Sequence, residues 1–160
     1  MADDDNDEDL PPEAYAEACA FDPQDTGEPM TGQFLTPLIT QDTDGTTFIL
    51  HAPLIYRRVC GEKITVPKGF DTDLASVPWL FLRVFPRSGP YNEAAVVHDW
   101  LYVTRRIGPH FVYRAEADAV LLEAMAALGC GWLTRTLIYR AVRLFGWVVW
   151  NRRKNGNAQA

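Results

Sequence analysis

Asn92-Glu-Ala-Ala-Val-Val-His98-Asp99-Trp-Leu-Tyr102, with Ala115-Glu-Ala-Asp118 following a short connection, is the stretch on which the reading of this chain turns. Its apolar residues recur at helical spacing, so it is expected to form the first of three C-terminal helices. On that helix His98 and Tyr102 lie one turn apart and share a face, while Asp99 is rotated by about 100° toward a neighbouring surface. A short connection makes the next helix an antiparallel neighbour, which lets Asp118 reach back to His98. Polar side chains set among core residues cost free energy unless each finds a partner. The cluster is therefore either a buried structural network or a place where chemistry is done.

The chemical reading assigns a role to each residue. A carboxylate on one imidazole nitrogen fixes the tautomer and holds the ring. The other nitrogen can then take a proton from water, which makes His98 a general base oriented by Asp118, with Tyr102 in the supporting network. Asp99 is left to hold a hard cation through its oxygens, with loop carbonyls completing the shell and Asp71 or Asp73 adding a further carboxylate. A second route makes Ser76 a nucleophile with His98 as its base, although no Gly-x-Ser-x-Gly elbow surrounds it. The structural reading treats the same His–Asp–Tyr cluster as a helix-to-helix clamp, satisfied and inert.

Outward from this stretch the chain divides into three parts: an acidic arm over residues 1–29, one α+β domain over 30–150, and a polar tail over 151–160. Short β-prone runs at Phe34-Leu35, Thr46–Leu50, Leu54–Tyr56 and Ile64–Val66 predict a small antiparallel β portion. Asp42-Thr-Asp44-Gly45 predicts a turn between two of its strands. Residues 71–90 are expected to be mostly loop, because Pro78, Pro86 and Pro90 interrupt any long helix.

The first helix is expected from Asn92, as N-cap, to about Arg105, and the second from about Arg114 to Leu128 with Gly129 as its stop. The third is expected from about Trp132 to Trp150. On a wheel its Leu133, Leu137, Ile138, Ala141, Val142, Leu144, Phe145, Val148 and Val149 fill one half. Arg135, Tyr139, Arg140, Arg143, Trp147 and Trp150 fill the other, a composition suited to a protein interface or a membrane surface.

Residues 1–28 hold eleven acids and no Lys or Arg, leaving ten acids and fifteen bases for the other 132 residues. The net charge of −6 thus hides a mildly basic body behind an acidic arm that buries nothing and is expected to order only on a partner. The acidic N-terminus, with no apolar run after it, is not a signal peptide. Cys19, Cys60 and Cys130 are an odd set without metal-ligand spacing and are read as packing thiols in a reducing compartment. His51 and His110 stand alone beside prolines and are read as surface or turn residues. The basic pairs are short and scattered and come without a reader motif, which argues against sequence-specific nucleic-acid binding.

Two resemblances follow. Gly69-Phe-Asp-Thr-Asp73-Leu-Ala-Ser76-Val-Pro78, Ala94–Tyr102, Ala117-Asp118 to Ala124-Met125, and Tyr139–Trp147 resemble, in that order, a family of short phage and prophage proteins of unknown function. This resemblance implies a tailed-phage origin, and together with the arm that buries nothing and the Arg/Trp face of the last helix it gives the expectation of a virion component in the tail or connector region. Such a protein would reside in host cytoplasm during assembly and then in the particle. Its partners would be other virion proteins, met through the acidic arm and the Arg/Trp face of the last helix, together with membrane lipid.

More remotely, His98-Asp99-Trp-Leu-Tyr102 with Ala117-Asp118 is similar to the His-Asp-x-x-Tyr and later Asp pattern of phospholipases A2, in the disulfide-free form carried on parvovirus capsids. That likeness implies His98 as base, Asp99 as calcium ligand, Tyr102 as network tyrosine and Asp118 as the orienting acid. The place of the glycine-rich calcium loop reads Arg87-Ser-Gly-Pro-Tyr-Asn92, a departure with one glycine and a proline. The expectation is an ester hydrolase on a virion, with a purely structural virion protein as the alternative.

Overall fold

The computed structural model describes residues 32–42, 48–72 and 89–156. The acidic arm, the turn residues 43–45, and both Asp73 and Ser76 lie outside the described residues. The order of elements is β1 (Gln33–Phe34), β2 (Thr40–Asp42), β3 (Phe48–Leu50), β4 (Leu54–Arg57), β5 (Lys63–Val66), β6 (Asp71–Thr72), α1 (Asn92–Thr104), β7 (Arg106–Ile107), β8 (His110–Phe111), α2 (Arg114–Ala127) and α3 (Trp132–Gly156). Antiparallel strands precede three helices, so the chain is α+β, as its sequence predicts.

Two small sheets make up the β portion, ordered β1-β4-β5 and β2-β3-β6. In the first, Leu54 faces Val66 and Tyr56 faces Ile64 across an antiparallel register. All four are buried, while Lys63 and Thr65 between them point to solvent. This strict two-residue alternation gives the sheet one apolar face. That face packs on α1, and the shared core runs from Leu54, Tyr56, Ile64 and Val66 to Val96, Val97, Leu101, Val120 and Met125. β2 and β3 pair antiparallel, Thr40 opposite Leu50. β2 and β6 are strands that the sequence pattern did not single out.

Between α1 and α2 the connection forms a two-stranded hairpin, β7-β8, instead of an unstructured link. α1 ends at Arg105, whose φ of 53° is left-handed although it has a side chain. The guanidinium offsets that strain: Nη2 donates to the Trp150 carbonyl at 2.6 Å and the group stacks over the Trp150 ring, 4.2 Å from its centre. At the other end Asn92 does not cap. The cap position is Tyr91, and the Asn92 side chain instead accepts a bond from the Gly89 amide at 3.4 Å. α2 stops where expected, because Gly129 takes a φ of 73° and the Cys130 amide turns back onto the Met125 carbonyl.

α3 corrects the sequence reading twice. It continues past Trp150 to Gly156, and its buried side is not the half-wheel richest in aliphatic residues. Ile138, Ala141, Gly146 and Trp150 face inward, whereas Leu133, Leu137, Leu144 and Trp147 are exposed. The buried side is turned by roughly a quarter turn from that half-wheel: Ile138 and Ala141 stay inside, while Trp150 is buried and Arg143 is drawn toward the bundle. No helix among the described residues is long and apolar enough to cross a membrane. Cys130 is a free, buried thiol, but Cys60 is disulfide-bonded, so the reading of every cysteine as a packing thiol fails at Cys60. His51 and His110 are exposed, as expected.

Candidate active site

α1 presents His98 and Tyr102 on one face, and α2 packs antiparallel beside it with Asp118 at the same level. Asp118 is fully buried. Its Oδ1 sits 2.9 Å from His98 Nε2 and accepts a hydrogen bond from the Tyr102 hydroxyl at 2.6 Å. Its Oδ2 accepts from Arg143 Nη1 of α3 at 3.2 Å and faces Arg114 Nη1, one turn before it on α2, at 3.6 Å. Arg114 also donates to the Arg143 backbone carbonyl at 3.1 Å. Four polar side chains from three helices thus converge on one carboxylate, three by hydrogen bonds and Arg114 as an ion pair, and its two oxygens divide the work. One holds the ring and the phenol, and the other meets the guanidinium groups.

The predicted trio of His98, Tyr102 and Asp118 is brought together in full. His98 keeps 8% of its surface exposed, and its Nδ1 makes no hydrogen bond among the described residues. The imidazole and phenol rings lie 4.1 Å apart, and the Tyr102 ring in turn meets Trp150 edge-on at 5.0 Å. Gly146 of α3 makes room for this stack: a Cβ there would stand 2.5 Å from the Tyr102 hydroxyl. Burial, the Asp118 charge and the hydrogen bond to it push the Tyr102 phenol well above its ordinary value of 10.0.

The same holds for Tyr56, where burial leads and Glu123 adds to the rise. An unfolded chain ionises both phenols near their ordinary value and the fold keeps them neutral. Stability is therefore whole below that value and is expected to fall above it, by about 1.4 kcal/mol per pH unit for each tyrosine. Urea denaturation from about pH 9 to about pH 11 measures this, and Tyr102→Phe should halve the slope.

Asp99 stands apart from this cluster, as its rotation predicts. Its Oδ2 accepts a hydrogen bond from Thr72 of β6 at 2.6 Å, which joins the sheet edge to α1. Among the described residues no three His, Cys, Asp or Glu side chains converge as a metal group.

Arg114 and Arg143 were missed as members of the cluster. Arg114 was legible, since it precedes Asp118 by one helical turn. Arg143 was assigned to an outward face.

A second polar cluster also escaped the sequence reading. Arg58, at the end of β4, is buried and meets Glu62 at 3.1 Å, Glu116 at 3.2 Å and Glu123 at 3.6 Å. Glu123 further accepts from the Tyr56 hydroxyl at 2.9 Å and the Val59 amide at 2.8 Å. Arg58 Nε makes no hydrogen bond, its Glu123 oxygen being too distant. This group ties the first sheet to α2.

The family described as Protein of unknown function (DUF1353) matches residues 48–142. The chain belongs to that family. The matched DUF1353 segment holds Thr72, His98, Asp99, Tyr102, Arg114 and Asp118, and stops one residue short of Arg143. No curated protein and no solved structure matches the chain.

Proposed function

We propose that this DUF1353 protein is a tailed-phage virion component of the tail or connector region. In this reading it carries a His98/Asp118 hydrolase site for carboxylic esters of lipid or cell envelope. One observation carries the chemical part: Nε2 is held at 2.9 Å by a buried carboxylate that also accepts the Tyr102 hydroxyl, which leaves Nδ1 as the nitrogen available to a proton. Nδ1 takes a proton from water, and the resulting hydroxide attacks the ester carbonyl. Asp118 stabilises the imidazolium that forms. The imidazolium then returns the proton to the departing alkoxide as the tetrahedral intermediate collapses to carboxylic acid and alcohol. The order of motifs along residues 69–147, similar to short phage and prophage proteins, supports the virion placement. Mass spectrometry of purified virions is expected to find the chain, and its absence there would remove that part.

A second reading is favoured by a specific observation. Two guanidinium groups share Oδ2 of Asp118, so the carboxylate is already neutralised without a charged imidazole. A network satisfied in this way also serves as a clamp between helices. His98→Ala separates the two. Loss of ester hydrolysis by at least about a hundredfold, with the unfolding midpoint little changed, is expected for a general base. Collapse of the fold, or no hydrolysis by the wild type on short-chain and phospholipid esters, leaves the clamp.

A further inference from the structure

Six exposed residues of α3 line up along one side of the helix, with Trp132 and Phe145 exposed outside that line. Leu133, Leu137, Arg140, Leu144, Trp147 and Asn151 are all exposed and follow one another at spacings of 4, 3, 4, 3 and 4. Leu133 is 64% exposed, Leu144 66% and Trp147 51%. A stripe repeating every 3.5 residues is the seam on which one helix receives the side chains of another. The seam runs about 27 Å along the helix. It lies opposite the face that α3 buries through Ile138, Gly146 and Trp150, so it can be used without disturbing the fold.

Charge decides the occupant. α3 carries Arg135, Arg140, Arg143, Arg152, Arg153 and Lys154 and no acidic residue. A second copy of the same helix would bring bases to bases in either orientation. A membrane-surface helix keeps its charges off the apolar face, whereas this seam has exposed Arg140 in its middle. We propose that the outer seam of α3 docks an acidic amphipathic helix from another protein. Leucine-like side chains of the partner would interleave with Leu133, Leu137, Leu144 and Trp147, and a carboxylate would meet Arg140.

The probe is a synthetic helix of about three heptads with Leu at the seam positions and Glu beside them, paired with a twin carrying Lys in place of Glu. Full-length protein is expected to bind the Glu peptide at least tenfold more tightly than the Lys twin in titration calorimetry. Leu144→Gln should cost tenfold or more in affinity with an unchanged circular-dichroism spectrum. Arg140→Glu should reverse the preference between the peptides. The proposal is overturned by equal binding of both peptides, by binding of neither, or by Leu144→Gln without effect. It also falls if sedimentation shows a wild-type dimer that Leu144→Gln dissolves. Adsorption to phosphatidylglycerol vesicles that depends on Leu144, without peptide preference, overturns it in favour of a lipid surface.

Discussion

Asp118→Ala is expected to lower stability by about 3–5 kcal/mol, because it strips a fully buried carboxylate from four polar partners at once. The loss is greater than that of a single hydrogen bond, since the partners cannot all recover water. Arg143 is part exposed and can swing outward, but Arg114 and Tyr102 are held inside. For a chain of this length the unfolding midpoint should fall by about 10 °C in a thermal scan. Asp118→Asn should lose less, because the amide oxygen still accepts from one donor while the pairing with guanidinium is gone. A drop under about 1 kcal/mol for Asp118→Ala would mean that the network contributes little to holding the helices together.

Arg58→Ala is the second large effect, at about 3 kcal/mol. It leaves Glu62, Glu116 and Glu123 facing one another around a vacated site without a neutralising charge. Glu116 and Glu123 are mostly buried, and Glu123 is pinned to the Tyr56 hydroxyl and the Val59 amide, so neither rotates fully into water. Arg58→Ala combined with Glu116→Gln should recover part of the loss, because it removes one of the unpaired charges. Urea unfolding of the single and double variants checks the expectation; additive losses would show that Arg58 and Glu116 act independently.

These two clusters mark where sequence reading succeeds and where it stops. His98, Tyr102 and Asp118 were legible because their meeting depends only on helical spacing and a short connection, both local properties. The alternation in Lys63–Val66 and the apolar run at Leu54–Tyr56 were legible for the same reason. Arg58 was not, because its three carboxylates come from the turn before β5 and from two turns of α2, a meeting that only tertiary structure defines. The facing of α3 was misread for a related cause: counting aliphatic residues gives the apolar half of a wheel, but part-buried Arg143 and buried Trp150 find partners on α1 and α2 that shift the buried side. Gly146 gave no outward sign of its purpose, since only the position of Tyr102 explains the missing side chain. β2 and β6 were too short and too polar to stand out.

The apolar faces of α1 and α2 are built largely of Ala, Val and Leu repeated at helical intervals, and α3 meets them with Ile138, Ala141 and Gly146; such rods can slide past one another with little change in hydrocarbon contact. A slip of one turn, about 5.4 Å, would carry a donor beyond reach of Asp118, whichever rod moved. The carboxylate therefore serves as an address more than as glue, admitting one alignment of three slippery cylinders among several that would bury as much.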